Sequence, residues 1–202
     1  MMPFTPVALA LLVTSASAQE TRKPNLEGEK ILARFARCAV RGAPADARAL
    51  LETTPHSTAE SALIQRFMGK RLGCMKIGVM PGTRFVARGE TVRGAIAKQL
   101  YLDSAGDWTP GAPSTVTTDV TESPDAYSVV RCATQMNPVA ADRLVRAERL
   151  SVQEAAAARA LASALNRCRG GRGKLDISGT AIHGWAAEAL YKLRRSDAPK
   201  VH

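Results

Sequence analysis

The sequence RCAVRGAP, residues 37–44, has a counterpart 94 residues later in RCATQMNP, residues 131–138. The second cysteines of the chain follow the same rule, because Cys74 and Cys168 are also 94 residues apart. Each of them lies 36 residues after the first cysteine of its own pair. Matched stretches at a fixed shift indicate that one structural unit occurs twice. The sequence therefore predicts a tandem duplication.

A second pair of matching stretches closes each copy. GETVRGAIAKQLY, residues 89–101, aligns with GTAIHGWAAEALY, residues 179–191. The shift has fallen to 90, as if the second copy had lost four loop residues. The shared glycines and the shared Leu-Tyr ending are difficult to explain by chance and support the duplication.

Start and stop signals predict four helices in each copy. The first helix has one apolar face and ends at Gly42, and the second opens at Pro44, where a missing N–H costs nothing. Ser57 and Glu60 form a capping box that begins the third helix, with the glutamate reaching back to the serine amide. The fourth helix covers about residues 89–101. The same signals recur in the second copy, so we expect an all-α fold of two roughly four-helix units.

The amino-terminal residues predict a signal peptide. An apolar run over residues 7–13 precedes Ala16-Ser17-Ala18, which is an A-x-A cleavage pattern, although no Lys or Arg precedes the run. The alternative is an apolar tail on a cytosolic protein. Because the run is shorter than the ~20 residues that span a bilayer, we expect no transmembrane anchor. The predicted segments are a signal peptide at 1–18, unit 1 at 19–108, a linker rich in Thr, Ser, Pro and Gly at 109–123, and unit 2 at 124–202.

Four cysteines in an exported chain predict disulfides. Four cysteines allow three pairings, and a unit that folds by itself should pair within itself. We therefore expect the bridges Cys38–Cys74 and Cys132–Cys168, each worth roughly 3–4 kcal/mol on the chain-entropy model. Buried free thiols are an alternative. A metal site is not expected, because the chain has only three histidines and no paired zinc spacing.

The formal net charge of +10 favours anionic partners. A glycine-rich segment after the last cysteine carries the candidate anion-binding residues Arg167, Arg169, Arg172 and Lys174. The segment is not a phosphate-binding P-loop, because Cys168 stands at the first glycine position and Leu175 follows the lysine. The alternative interpretation is a helix C-cap with basic residues at a negative helix end. Nucleic acid is not an expected partner of an exported chain.

The sequence identifies no catalytic residue and no cofactor. It contains no G-x-S-x-G, H-E-x-x-H or Cys/His nucleophile pattern. His183 aligns with Arg93 and has no partner at a recognisable spacing. Glu188 aligns with Lys98, so any role of this glutamate belongs to the second copy alone. Capping accounts for the two glutamates that the copies share.

The leader, the Cys pair spaced by a helical hairpin, and the endings GAIAxxLY and GWAAEALY resemble uncharacterised secreted proteins of alphaproteobacterial type with duplicated Cys pairs. The resemblance covers most of the mature chain. It implies a bacterial envelope setting and supplies no catalytic or binding residue. The first copy departs from the acidic form of the ending, because Lys98 replaces the glutamate.

Three hypotheses about function follow. The first is a non-enzymatic periplasmic or secreted interaction protein whose partner is unknown. The second is a basic protein that binds anionic envelope components such as lipid head groups, lipopolysaccharide or acidic glycan. The third is an envelope enzyme without a recognisable motif, which a pocket containing His183 beside a carboxylate would favour, whereas a solid core around His183 would count against it.

Overall fold

The computed structural model describes residues 26–70, 72–75, 87–106, 108–111, 125–170 and 177–197. The predicted signal peptide and most of the predicted linker lie outside these residues. Every regular element in the described part of the chain is helical. No helix there combines the length and the hydropathy that a membrane span needs.

Three helices of the second unit begin at positions equivalent to helix starts in the first. The first unit contains α1 (Leu26–Gly42), α2 (Pro44–Glu52), α3 (Thr58–Lys70), α4 (Leu72–Met75) and α5 (Gly89–Ala105), and the second contains α6 (Ala126–Met136), α7 (Pro138–Arg146), α8 (Val152–Arg169) and α9 (Gly179–Asp197). Helices α7 and α8 begin 94 residues after α2 and α3, and α9 begins 90 residues after α5. Helix α8 runs without a break over the span of α3 and α4. The all-α prediction is confirmed, and the arrangement is consistent with a duplicated unit of about four helices.

The capping glutamates bond one residue further back than a capping box requires. Glu60 Oε2 accepts from the backbone N–H of His56, and Glu154 Oε2 accepts from that of Leu150, both at 2.5 Å. The predicted bond to the amide of Ser57 is wrong, since that amide donates to a backbone carbonyl instead. His56 and Leu150 both have φ of 63°, in the left-handed region. The two turns before α3 and α8 thus share an unusual conformation.

Each unit contains one disulfide, and the two bridges occupy equivalent positions. Cys38 is bonded to Cys74 and Cys132 to Cys168, with Cα–Cα distances of 5.7 and 5.9 Å. The predicted pairing is confirmed, and the alternatives of free thiols or metal ligation are excluded for these cysteines. The bridge joins α1 to α4 in the first unit and α6 to the last turn of α8 in the second.

The last helices of the two units cross at two equivalent glycines. Helices α5 and α9 make the most extensive interhelical contact of the described residues. A Cβ on Gly94 would lie 2.8 Å from the Cα of Gly184, and a Cβ on Gly184 would lie 2.6 Å from the Cα of Gly94. Because both obstacles are backbone atoms, only glycine allows this approach. Helices α1 and α2 pack on α5, and α6 and α7 pack on α9, so the crossing lies at the centre of the core.

Candidate functional site: a cavity between α1 and α5

Arg93 and His183 lie at equivalent positions on either side of the crossing. Both are buried, with 1% and 5% of their surface exposed. Each contacts the capping glutamate of its own unit: Arg93 Nη1 lies 3.3 Å from Glu60 Oε1, and His183 Nε2 lies 2.8 Å from Glu154 Oε1. The capping glutamates therefore have a second partner that the sequence did not predict. The only sequence signal for this contact was that Arg93 and His183 align in the two copies.

On one side of the crossing Arg93 forms a closed ionic cluster. Its Nε and Nη2 donate to the two carboxylate oxygens of Glu188, both at 2.7 Å. The hydroxyl of Tyr127 and the ammonium of Lys192 donate to the same carboxylate at 2.8 and 2.7 Å. The remaining guanidinium N–H groups donate to oxygens of residues 50–53. Such a bidentate pair is stabilised only while both charges are present.

The protonation states agree with this geometry. Burial disfavours the charged form of Glu188, but hydrogen bonds from Arg93 and Lys192 outweigh burial and hold its pKa below the usual value. Burial likewise opposes the charge of Arg93, and the hydrogen bond and charge of Glu188 raise its pKa nonetheless. Burial and the adjacent Glu188 carboxylate raise the pKa of Tyr127, so its hydroxyl stays a donor. The cluster therefore contains an ion pair at neutral pH.

Two aromatic rings fill this side, and the equivalent positions on the other side carry alanine. Tyr127 on α6 and Trp185 on α9 meet edge to face, with centroids 6.1 Å apart and planes at 87°. The equivalent residues on α1 and α5 are Ala33 and Ala95. A cavity of about 400 Å³, the α1–α5 cavity, lies along these two alanines. Ala33 is exposed although its counterpart Tyr127 is buried, which is what the loss of the rings produces.

Charged and polar side chains close one end of the α1–α5 cavity. Arg149, in the loop before α8, donates from Nε to Glu29 Oε2 at 2.9 Å and also contacts Glu154. Thr180 donates to the other oxygen of Glu29 at 2.6 Å. The Arg149 guanidinium lies against Gly179, where a Cβ would come within 2.9 Å of Nη2. Arg149 and Glu29 thus have their charges largely compensated inside the protein.

Lys98 lines the α1–α5 cavity without such compensation. It stands where the other side has Glu188, and no described residue forms a hydrogen bond or ion pair with its ammonium. Burial and the positive charge of Arg149 lower the pKa of Lys98, against the opposing effect of Glu29. Lys30 and Arg37 also line the cavity but are exposed, and Lys30 pairs with Glu27 at 2.8 Å. The cavity therefore contains one partly buried ammonium, that of Lys98, that lacks an ion-pair partner among the described residues.

His183 is held neutral beside Lys98. Burial and the charges of Lys98 and Arg149 lower its pKa to about 3. In the neutral ring Nε2 carries the proton and donates to Glu154, whose charge Arg149 already offsets. The buried Nδ1 atom has no hydrogen-bond partner in the described part of the chain. A pocket with His183 beside a carboxylate is the arrangement that the enzyme hypothesis predicts. The lowered pKa and the burial of Nδ1 count against His183 as a general base.

The two described residues of the predicted anion-binding set, Arg167 and Arg169, do not line the α1–α5 cavity. Arg167 and Arg169 lie in the last turn of α8, and Arg172 and Lys174 lie outside the described residues. Gly170 has φ 66° and ψ 30°, and its N–H donates to the carbonyl of Arg167 at 3.0 Å. The alternative interpretation as a glycine C-cap is confirmed here. A helix carboxyl end carries partial negative charge, which stabilises these arginines and disfavours an anion.

No group of three or more His, Cys, Asp or Glu among the described residues is placed to hold a metal ion. No protein-family model, no curated protein and no solved structure matches the chain. The α1–α5 cavity and the charges around it are therefore the observations on which a function must be argued.

Proposed function

We propose that this chain is a non-enzymatic binding protein of the periplasm or the extracellular space, and that it binds a small anionic ligand in the α1–α5 cavity. The observation that carries the proposal is Lys98, a half-buried ammonium in a cavity, with no counterion among the described residues. The predicted signal peptide, the two disulfides and the resemblance to secreted bacterial proteins support the location.

The dimensions of the cavity suit a small molecule. Ligand pockets usually enclose about 300–1,000 Å³, are mostly apolar, and carry a few polar groups that fix the orientation of the ligand. The α1–α5 cavity, with about 400 Å³, lies at the lower end of this range. Leu26, Leu32 and Ala95 supply apolar lining, and Lys98 supplies the charge. An anion there gains more from the ammonium than it would in water, because partial burial reduces screening.

An extended anionic surface is a weaker candidate. Lipid head groups and lipopolysaccharide would contact exposed cations, and the net charge of +10 is compatible with that. Lys98, however, lies inside a cavity that a flat surface does not enter. At the end of α8, the negative end of the helix dipole opposes an anion that would bind the predicted cations Arg167 and Arg169.

Titration with the fluorescent anion anilinonaphthalene sulfonate tests the proposal. We compare the oxidised protein with the variants Lys98→Met and Lys70→Met, which lose the same charge. Lys70 is exposed at the end of α3 and does not line the cavity. A charged hydrogen bond is worth about 1.5–3 kcal/mol, so Lys98→Met should raise Kd by at least about tenfold while Lys70→Met leaves it unchanged.

Equal binding by the wild type and Lys98→Met would overturn the proposal. An equal loss in both variants would also overturn it, because net charge alone would then explain binding. Sedimentation with anionic phospholipid vesicles identifies the surface alternative: it is favoured if both variants bind vesicles less well, by equal amounts, and neither changes its affinity for the small anion.

A further inference from the structure

The two sides of the α5–α9 crossing indicate which anion the cavity takes. We infer that the ligand is an aromatic monocarboxylate, whose ring lies over Ala33 and Ala95 and whose carboxylate contacts Lys98. The inference rests on the proposed function and narrows it to one ligand class. It follows from what the equivalent positions hold on the other side of the crossing.

The position of the ring follows from the packing of the first helix in each unit. Helix α1 packs on α5 as α6 packs on α9. Between α6 and α9 the space is filled by the rings of Tyr127 and Trp185. Between α1 and α5 the same two positions carry only methyl groups, at Ala33 and Ala95. A ligand ring in the α1–α5 cavity would therefore restore the kind of contact that the chain itself makes on the other side.

A cation retained in both units favours an aromatic ring over an aliphatic one. Arg37 and Arg131 occupy equivalent positions. Arg37 lies one helical turn after Ala33, and Arg131 lies one helical turn after Tyr127. The charge of Arg131 is close enough to the Tyr127 hydroxyl to counteract the rise in its pKa. Arg37 lines the α1–α5 cavity next to Ala33. A ligand ring there would lie within reach of a cation–π contact with Arg37.

The carboxylate of the ligand is inferred from the opposite charges of two equivalent residues, Glu188 and Lys98. Glu188 receives hydrogen bonds from Arg93, Tyr127 and Lys192. Its counterpart Lys98 has the opposite charge and lies close enough to His183 to lower the pKa of that ring. A carboxylate on the ligand would supply to Lys98, on this side, the direct ion pair that Glu188 makes on the other side.

A single negative charge suits the cavity better than two. Arg149 is already engaged with Glu29 and Glu154, so it is not free to neutralise a second charge. Glu29 and Glu148 also line the cavity and repel a dianion. Lys98 is partly buried and has no counterion among the described residues, whereas Lys30 and Arg37 of the lining are exposed, so one negative charge is what the interior of the cavity neutralises best.

Calorimetric titration of the oxidised protein with matched probes tests the inference. The probes are phenylpropanoate, cyclohexylpropanoate, phenylpropanol and phenyl phosphate. We expect phenylpropanoate to bind at least about threefold more tightly than cyclohexylpropanoate and at least about tenfold more tightly than the alcohol and the phosphate. Arg37→Met should remove the preference for the aromatic ring, and Lys98→Met should remove the preference for the acid over the alcohol.

The variant Ala33→Tyr copies the other side of the crossing and should abolish binding of phenylpropanoate. The position is exposed, so the fold tolerates the ring. Equal affinity of phenylpropanoate and cyclohexylpropanoate, with a loss of both in Lys98→Met, would overturn the aromatic class and leave the proposed function standing. Tighter binding of phenyl phosphate would overturn the monocarboxylate. Failure of every probe, the fluorescent sulfonate included, would overturn both proposals.

Discussion

Arg93 and His183 are equivalent residues of the two units, and each contacts the capping glutamate of its own unit, yet only Arg93 also has a carboxylate from the other unit as its partner. The position that supplies this carboxylate, Glu188, is Lys98 on the opposite side. One backbone arrangement thus supports a closed ion-pair cluster and an open positive cavity. Four predictions test this difference and the crossing that creates it.

Removal of Glu188 should destabilise the fold strongly. The change Glu188→Leu leaves the Arg93 guanidinium buried without its main counterion, and breaking a buried pair costs about 3–5 kcal/mol. Urea unfolding measures the loss. Replacing both partners, Arg93→Met with Glu188→Leu, should recover part of it. Lys192→Met is the matched control, because Lys192 is partly exposed and its loss should cost about 1 kcal/mol or less. If Glu188→Leu is at least as stable as the double variant, the ion pair does not have the role described.

Replacement of Gly94 should separate α5 from α9. The added Cβ of Gly94→Ala would lie 2.8 Å from the Cα of Gly184, and helix backbone cannot yield as a side chain can. We expect a loss of about 1–3 kcal/mol in the free energy of unfolding. Gly69→Ala, on α3, meets nothing within 4 Å and should be neutral or stabilising by up to about 1 kcal/mol. Equal stability of the two variants would show that the crossing tolerates a side chain.

Acidification should destabilise the protein through His183. Its pKa is about 3 in the folded chain against an ordinary 6.5, so between these values the unfolded chain binds a proton that the folded chain does not. The free energy of unfolding therefore falls as pH falls, by about 2 kcal/mol between pH 7 and pH 5 from this residue. His183→Asn should reduce this pH dependence, as measured by urea unfolding at the two pH values.

Lys98 should be one reason why His183 stays neutral. After burial, the charge of Lys98 is the largest cause that lowers the pKa of His183. Lys98→Met removes that charge, so the pKa of His183 should rise, as should the pKa in wild-type protein saturated with an anion at Lys98. Titration of the histidine ring protons by NMR measures both. Lys70→Met should produce no change, and the same midpoint in all three proteins would place Lys98 too far from the ring to matter.

The sequence predicted what local signals and cysteine spacing determine. Pro44 and Pro138 begin helices at their predicted positions, and Ser57 and Ser151 cap α3 and α8 as expected. The disulfides were predictable because the repeat excluded two of the three pairings. These features depend on residues close in sequence or on an equal spacing in both units.

The cavity was not predictable, because its determinants are differences between the copies and not shared features. The partner of Arg93 lies 95 residues further along the chain, and no spacing rule joins them. The alignment matches Arg93 with His183 and Glu188 with Lys98. Only the crossing of α5 and α9 places Arg93 beside Glu188 and His183 beside Lys98. A change of charge at equivalent positions was therefore a usable signal that needed the tertiary contact for its interpretation.

The approach of Gly94 to Gly184 joins two surfaces at equivalent positions of the two units. Such a contact is isologous, the form that holds identical subunits in a two-fold symmetric dimer. In a dimer of identical subunits, any change on one side of the axis is repeated on the other, so both sides must be filled or both must be open. In a single chain the two halves carry independent residues. The chain can therefore keep Tyr127 and Trp185 on one side of the axis for stability, and Ala33 and Ala95 on the other for a cavity.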